Sequence, residues 1–172
     1  VEDSNIPYMS FPALLGAEFL NETHNIVVAG THGKTTTTSL GAWLLEAAHK
    51  SPGFLIGGAA LNFDTTARAA KIDGSEKGFF IIEGDEYNTS FFDRQSPKFV
   101  HYRPHAAIIT SVEFDHADIY RDLEHCQEAF KKLVAKMPHD GCLVVRADHQ
   151  SVLECVVDLS LIHISEPTRP RI

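Results

Sequence analysis

The sequence predicts an α/β fold, a mostly parallel sheet with helices on both faces. Three observations carry this expectation. Short, continuous apolar runs alternate along the chain with amphipathic stretches. Each run is bounded by glycine or by a polar turn. Three of the runs deliver polar motifs at their C-terminal ends, which is where open parallel sheets gather their ligands.

Residues 25–30, "NIVVAG", form a short apolar run closed by glycine, as a buried strand requires. From Lys34 onward the period changes. Leu40, Trp43, Leu44 and Ala47 recur at helical spacing, predicting an amphipathic helix that Ser51-Pro52-Gly53 stops. "GFLIGG" (53–58) reads as a second strand and residues 59–77 as a surface loop region. "GFFIIEGDE" (78–86) is a third strand ending in acids, and "AAIIT" (106–110) a fourth. Leu123, Cys126, Phe130, Leu133, Val134 and Met137 mark the apolar stripe of a helix, with Asp122 as its N-cap. "CLVV" (142–145) is a further strand, and residues 148–157 begin another helix.

A chain of 172 residues is about one domain, and 44% hydrophobic content is enough to build its core. The net charge of -8 argues against an electrostatic grip on nucleic acid or anionic membrane. Neither a membrane-spanning run nor a signal-peptide layout is visible. Cys126, Cys142 and Cys155 make no close pair, so neither a zinc site nor a disulfide framework is expected. These features fit a cytoplasmic protein. The chain starts at Val1 without an initiator methionine, so upstream sequence is expected. Residues 159–169, "LSLIHISEPTR", resemble the translation of a sequencing adapter, and residues 159–172 are set aside on that ground.

The first motif is "AGTHGKTTTT" (29–38). The usual phosphate loop keeps four residues between its first glycine and Gly-Lys, whereas only Thr31 and His32 separate Gly30 from Gly33-Lys34. The two glycines free the backbone to aim N–H groups at phosphate, and the following helix adds its positive N-terminus. Lys34 is placed for the outer phosphates and Thr35 for a magnesium ion. A plain turn feeding a helix is the bland alternative. The second motif is Glu83-Gly84-Asp85-Glu86. Glu83, fixed by the strand before it, is the better magnesium ligand, while Glu86 is expected in a solvated acidic turn. The third is "EFDHADIY" (113–120), where His116 stands between Asp115 and Asp118 beyond a buried strand. Such an imidazole suits a second metal or a substrate group. His24, His49, His139 and His149 read as ordinary surface or core residues.

Together these motifs resemble the P-loop-containing central domain of the Mur ligases, whose phosphate loop is the same shortened type. The likeness runs from about Ile6 to Met137 and includes "IPYMSFPALLGAEFL" (6–20), similar to the segment that enters this domain. Three departures stand out: Gly84 where alanine is usual, Asn88 where aspartate is common and Ser111 where asparagine is usual. The last two weaken any polar role for those positions. The resemblance implies residues 21–158 as a C-terminally truncated central domain, without the N-terminal UDP-binding and C-terminal domains. It implies ATP-dependent amide formation through an acyl phosphate, in peptidoglycan recycling. The carboxylate of UDP-N-acetylmuramate would be activated and joined to the tripeptide L-alanyl-γ-D-glutamyl-meso-diaminopimelate.

By motif match, Gly30, Thr31, His32, Gly33, Lys34, Thr35 and Thr36 would line the ATP phosphates. Lys34 would act on the transferring phosphoryl group, Thr35 and Glu83 would hold one magnesium ion, and His116 would serve a second. "FFD…KFVHY" and "EFDHADIY" favour the tripeptide branch over the L-alanine-adding branch. The fragment alone is expected to bind nucleotide weakly and not to ligate. A P-loop kinase or NTPase is the rival enzyme reading, but it leaves the His116 motif without a reason. A nucleotide-binding module without catalysis is the non-enzymatic rival.

Overall fold

The computed structural model describes residues 6–74, 76–90, 96–115, 119–157 and 162–165. Strand β1 (Thr23–Ala29) lies mid-sheet and feeds two apolar layers, because successive strand residues face opposite ways. Val27 and Ala29 enter the larger core with Phe99, Phe130 and Leu133. Val28 faces the smaller core with Ala42, Phe54 and Ile81. The expected burial on both faces is therefore observed.

The other strands are β2 (Gly53–Leu55), β3 (Ala67–Arg68), β4 (Gly78–Gly84), β5 (Ala106–Ile109), β6 (Cys142–Val145) and β7 (Ile162–Ser165). They form one sheet in the order β3-β2-β4-β1-β5-β6-β7. Every pairing is parallel except that of β2 with the short edge strand β3. Strand β3 arises inside the region expected to be loop. Strand β7 falls within the run set aside above, and its ladder uses backbone groups that any residue but proline supplies.

Among the described residues four α-helices flank the sheet, α1 (Phe11–Glu18), α2 (Lys34–Ala47), α3 (Leu123–Val134) and α4 (Gln150–Leu153), with a short 3-10 helix at Lys98–His101. Helix α3 follows the expected pattern, with the Asp122 carboxylate accepting from His125 N at 2.8 Å as its N-cap. Helix α4 is shorter than expected, since only residues 150–153 are helical. Helix α1 had no counterpart among the expected elements. Its start is nevertheless marked by Ser10, whose hydroxyl accepts from Ala13 N, and by Pro12 in the first turn.

Helix α2 has the expected bounds, but its apolar stripe faces the wrong way. Leu40, Trp43 and Leu44 are exposed, and Thr38 and Ala42 are the residues buried against the sheet. The reason is close approach. A Cβ at Gly41 would run into the Ile81 side chain, so the face that packs on the sheet is the small Thr38-Gly41-Ala42 stripe, extended by the partly buried Leu45. A strand–strand contact likewise accounts for Gly84, since a Cβ there would lie 2.7 Å from Val27 Cγ1. Among the described residues no helix is long and apolar enough to cross a membrane.

Candidate phosphate site

Strands β1, β4 and β5 end level with one another. Ala29 is in register with Gly84 on one side and with Ile109 on the other. The residues that follow these three ends therefore share one edge of the sheet, and the loop joining β1 to α2 lies across it.

Two glycines permit that loop. Gly30 has φ +138°, and a Cβ there would meet Thr110 Oγ1 and lie 2.9 Å from both N and O of Ser111. Gly33, at φ +82°, occupies the N-cap position of α2 in the left-handed region. It brings no side chain to the first-turn N–H groups, which leaves them for an external acceptor.

The end of β5 clamps the loop from below. Thr31 N donates to Ser111 O (3.0 Å) and His32 N to Ser111 Oγ (3.1 Å). Thr110 Oγ1 donates to His32 O (2.5 Å), and Glu113 N donates to Thr31 Oγ1 (2.9 Å). Ser111 thus has a structural polar role, contrary to the expectation drawn from its departure from the family pattern. A polar residue directly after a buried strand was the available signal.

Lys34 folds back beneath the loop. Its ammonium donates to Gly30 O (2.7 Å) and to Glu86 Oε2 (3.0 Å). Glu86 corrects the sequence reading: it is 2% exposed, where a solvated turn was expected. Asp85 and Lys98 form the partly exposed ion pair of that segment, at 3.1 Å. The Tyr120 hydroxyl donates to Glu86 O at 2.5 Å. Burial first, and then nearby Cys126 and Glu86, raise its pKa far above the ordinary tyrosine value, so the donor proton stays in place.

Thr35 and Glu83 meet as expected. Thr35 Oγ1 donates to Glu83 Oε2 (3.0 Å), and Gly57 N donates to Glu83 Oε1 (2.6 Å), fixing the carboxylate. A hydroxyl and a carboxylate are hard oxygen donors, and a magnesium ion commonly takes no more than that from protein. Among the described residues there is no cluster of three or more His, Cys, Asp or Glu fit to hold a metal. The pair therefore fits an ion that completes its shell with phosphate and water.

Thr36 and the His32 side chain are exposed. His32 Nε2 lies 3.8 Å from the Glu113 carboxylate, which also lies 3.5 Å from His149 Nε2. His149, read from sequence as an ordinary residue, thus stands beside the loop. His116 and Asp118 lie outside the described residues. A cavity of about 460 Å3 opens next to the loop, lined in part by His32, Gly33, Thr37, Thr110, Glu113 and Arg146.

A family model described as the Mur ligase middle domain matches residues 28–163. The chain is 46% identical over 144 residues to the Escherichia coli K12 UDP-N-acetylmuramate–L-alanyl-γ-D-glutamyl-meso-2,6-diaminoheptandioate ligase, covering 84% of this chain and 30% of that protein. It is 33% identical over 153 residues to a Clostridium perfringens UDP-N-acetylmuramate–L-alanine ligase, covering 89% of this chain and 31% of that one. The crystal structure of the tripeptide-adding ligase from Neisseria meningitides superposes with a TM-score of 0.86 at 43% identity, over 93% of this chain and 51% of that one. The chain spans about a third of the length of the curated relatives it matches.

Proposed function

The chain belongs to the Mur ligase family through its middle domain, and on that premise we propose that it is the ATP-handling part of a murein peptide ligase. The whole enzyme would join UDP-N-acetylmuramate to the tripeptide L-alanyl-γ-D-glutamyl-meso-diaminopimelate, with ATP as the energy source. The observation that carries this reading is the placing of Lys34, Thr35 and Glu83 at one sheet edge, beside a loop whose Gly30 leaves no room for a side chain and whose Gly33 holds a left-handed backbone. The tripeptide is preferred to L-alanine because the likeness is 46% to a tripeptide-adding ligase and 33% to an L-alanine-adding one.

The reaction has two steps. A carboxylate oxygen of UDP-N-acetylmuramate attacks the γ-phosphorus of ATP, giving an acyl phosphate and ADP. The tripeptide amine then attacks the acyl carbon, releasing phosphate and a proton and forming the amide. Carboxylate and triphosphate repel each other, so the first step needs cations and N–H donors arranged in advance. The first-turn amides of α2 bind and orient the phosphates, while Thr31 N and His32 N are given to Ser111 and hold the loop in place. Lys34 balances charge on the group being transferred. Thr35 and Glu83 would hold magnesium, which when bound neutralises phosphate charge. His116 is proposed for the second metal on its motif alone.

The test is a phosphate-release assay on the ligase that carries this domain, with ATP, magnesium and UDP-N-acetylmuramate. Release that depends on the tripeptide is the expected result. Preference for L-alanine would reassign the enzyme, and release without either amine would make it an NTPase.

A further inference from the structure

Lys34 is engaged by protein groups on two sides. Two of its three ammonium protons point to Gly30 O at 2.7 Å and Glu86 Oε2 at 3.0 Å, and Thr31 O lies at the limit of contact, 3.5 Å. The lysine side chain is 12% exposed and Glu86 2%, so water does little to screen the pair. Glu86 cannot swing away easily. It lies two residues beyond the end of β4, and its own carbonyl is held by the buried Tyr120 hydroxyl at 2.5 Å. A phosphate drawn to Lys34 must therefore share that ammonium with a buried carboxylate, or displace it.

We propose that Glu86 is a positioning residue that holds the Lys34 ammonium beneath the loop and competes with a phosphate for it. This rests on the phosphate-site reading above. Two consequences follow from charge alone. The loop is tied through Lys34 to the buried acidic segment, because that ammonium donates at once to Gly30 O and to Glu86 Oε2. The phosphate nearest Lys34 meets an opposing negative charge, which limits how tightly the resting protein holds triphosphate. Glu86 touches neither substrate nor the reacting atoms in this scheme; it acts through Lys34. Glutamine at this position keeps the shape and one acceptor while removing the charge.

The experiment compares the parent chain with Glu86→Gln, Glu86→Asp and Lys34→Ala, using direct titration of ATP and ADP with and without magnesium. Circular dichroism and thermal melting would establish that each variant is folded. Glu86→Gln should bind ATP about tenfold tighter, with a smaller gain for ADP, and Glu86→Asp should return affinity to the parent value. Lys34→Ala should weaken both nucleotides. A second readout is the nitrogen-detected NMR signal of the Lys34 ammonium in the absence of nucleotide. It should be protected from exchange in the parent and lost in Glu86→Gln. Unchanged or weaker ATP binding by folded Glu86→Gln would overturn the proposal, as would an ammonium signal that does not respond to the substitution. Failure of the parent itself to bind either nucleotide would instead sink the phosphate-site reading, and this inference with it.

Discussion

At the scale of single residues, Lys34 is the most exacting part of the site. Its nitrogen lies within hydrogen-bonding distance of Gly30 O and Glu86 Oε2, beneath the loop that leads into the first turn of α2. Replacing it with alanine leaves the amides but removes the one side-chain cation seen under the loop among the described residues. In the ligase carrying this domain, Lys34→Ala should lower turnover by a factor on the order of a hundred or more, the usual cost of losing a preorganised transition-state contact. Turnover close to that of the parent would mean that the loop is only structural. The placing of Lys34, Thr35 and Glu83 at one sheet edge was legible in the sequence because it is set locally, by position at a strand end or at the start of a helix. Glu86 was not. Its burial depends on what covers it, and part of that cover is Tyr120, which reaches it from 34 residues away. Ser111 was misjudged for the same reason, since its partner His32 lies on another element.

At the scale of elements, α2 and α3 show why one periodicity was read correctly and the other was not. In α3 the large apolar residues share one stripe, and burial selects that stripe. In α2 the apolar stripe competes with a stripe of small residues, and the tight fit against Ile81 favours the small one. The sequence records both stripes but not the spacing between helix and sheet. Leu44→Lys on the exposed face should change stability by less than about 0.5 kcal/mol. Ala42→Leu should cost about 1–3 kcal/mol by overpacking. Equal effects of the two in urea unfolding would show the helix to be rotated from the orientation described. The contact between α3 and α4 carries a pH signature as well. Burial is the main cause that pushes Cys126 up to about 11 and Cys155 up to about 12, from 9.0 for a free thiol. The folded state therefore keeps these protons more tightly than the unfolded chain does. Their contribution is fully present below pH 9 and is lost as pH climbs through the folded values. The urea midpoint should fall between pH 9 and 10.5, and a Cys126→Ala, Cys155→Ala double variant should show a shallower fall. A midpoint that stays flat over that range would contradict the burial of the thiols.

At the scale of the whole molecule, the parallel order of the sheet makes the site possible. Because β1, β4 and β5 run in one direction and end in register, residues 30–35, 83–86 and 110–113 are neighbours, although 82 positions separate the bonded pair Thr31 and Glu113. This much was legible, because buried parallel strands read as continuous apolar runs and the motifs follow them directly. The sheet edges were not legible: β3 is two residues long, and β7 needs only backbone pairing, so neither imposes a side-chain pattern. A site assembled from three strand ends and one helix start exists only in the folded chain, so its ligand must stabilise the whole domain. With nucleotide and magnesium at about 100 times the dissociation constant, the added stability is about 2.7 kcal/mol. For a chain of this length that corresponds to a rise in Tm of roughly 5–10 °C. Thermal melts of the chain with increasing ADP and magnesium should show the rise and its dependence on concentration. Lys34→Ala should show a smaller rise at the same concentrations, because it unfolds to the same ensemble but binds the ligand less tightly when folded. A Tm that ignores nucleotide in the parent, or rises equally in both proteins, would mean that the meeting of Lys34, Thr35 and Glu83 is not where the phosphates bind.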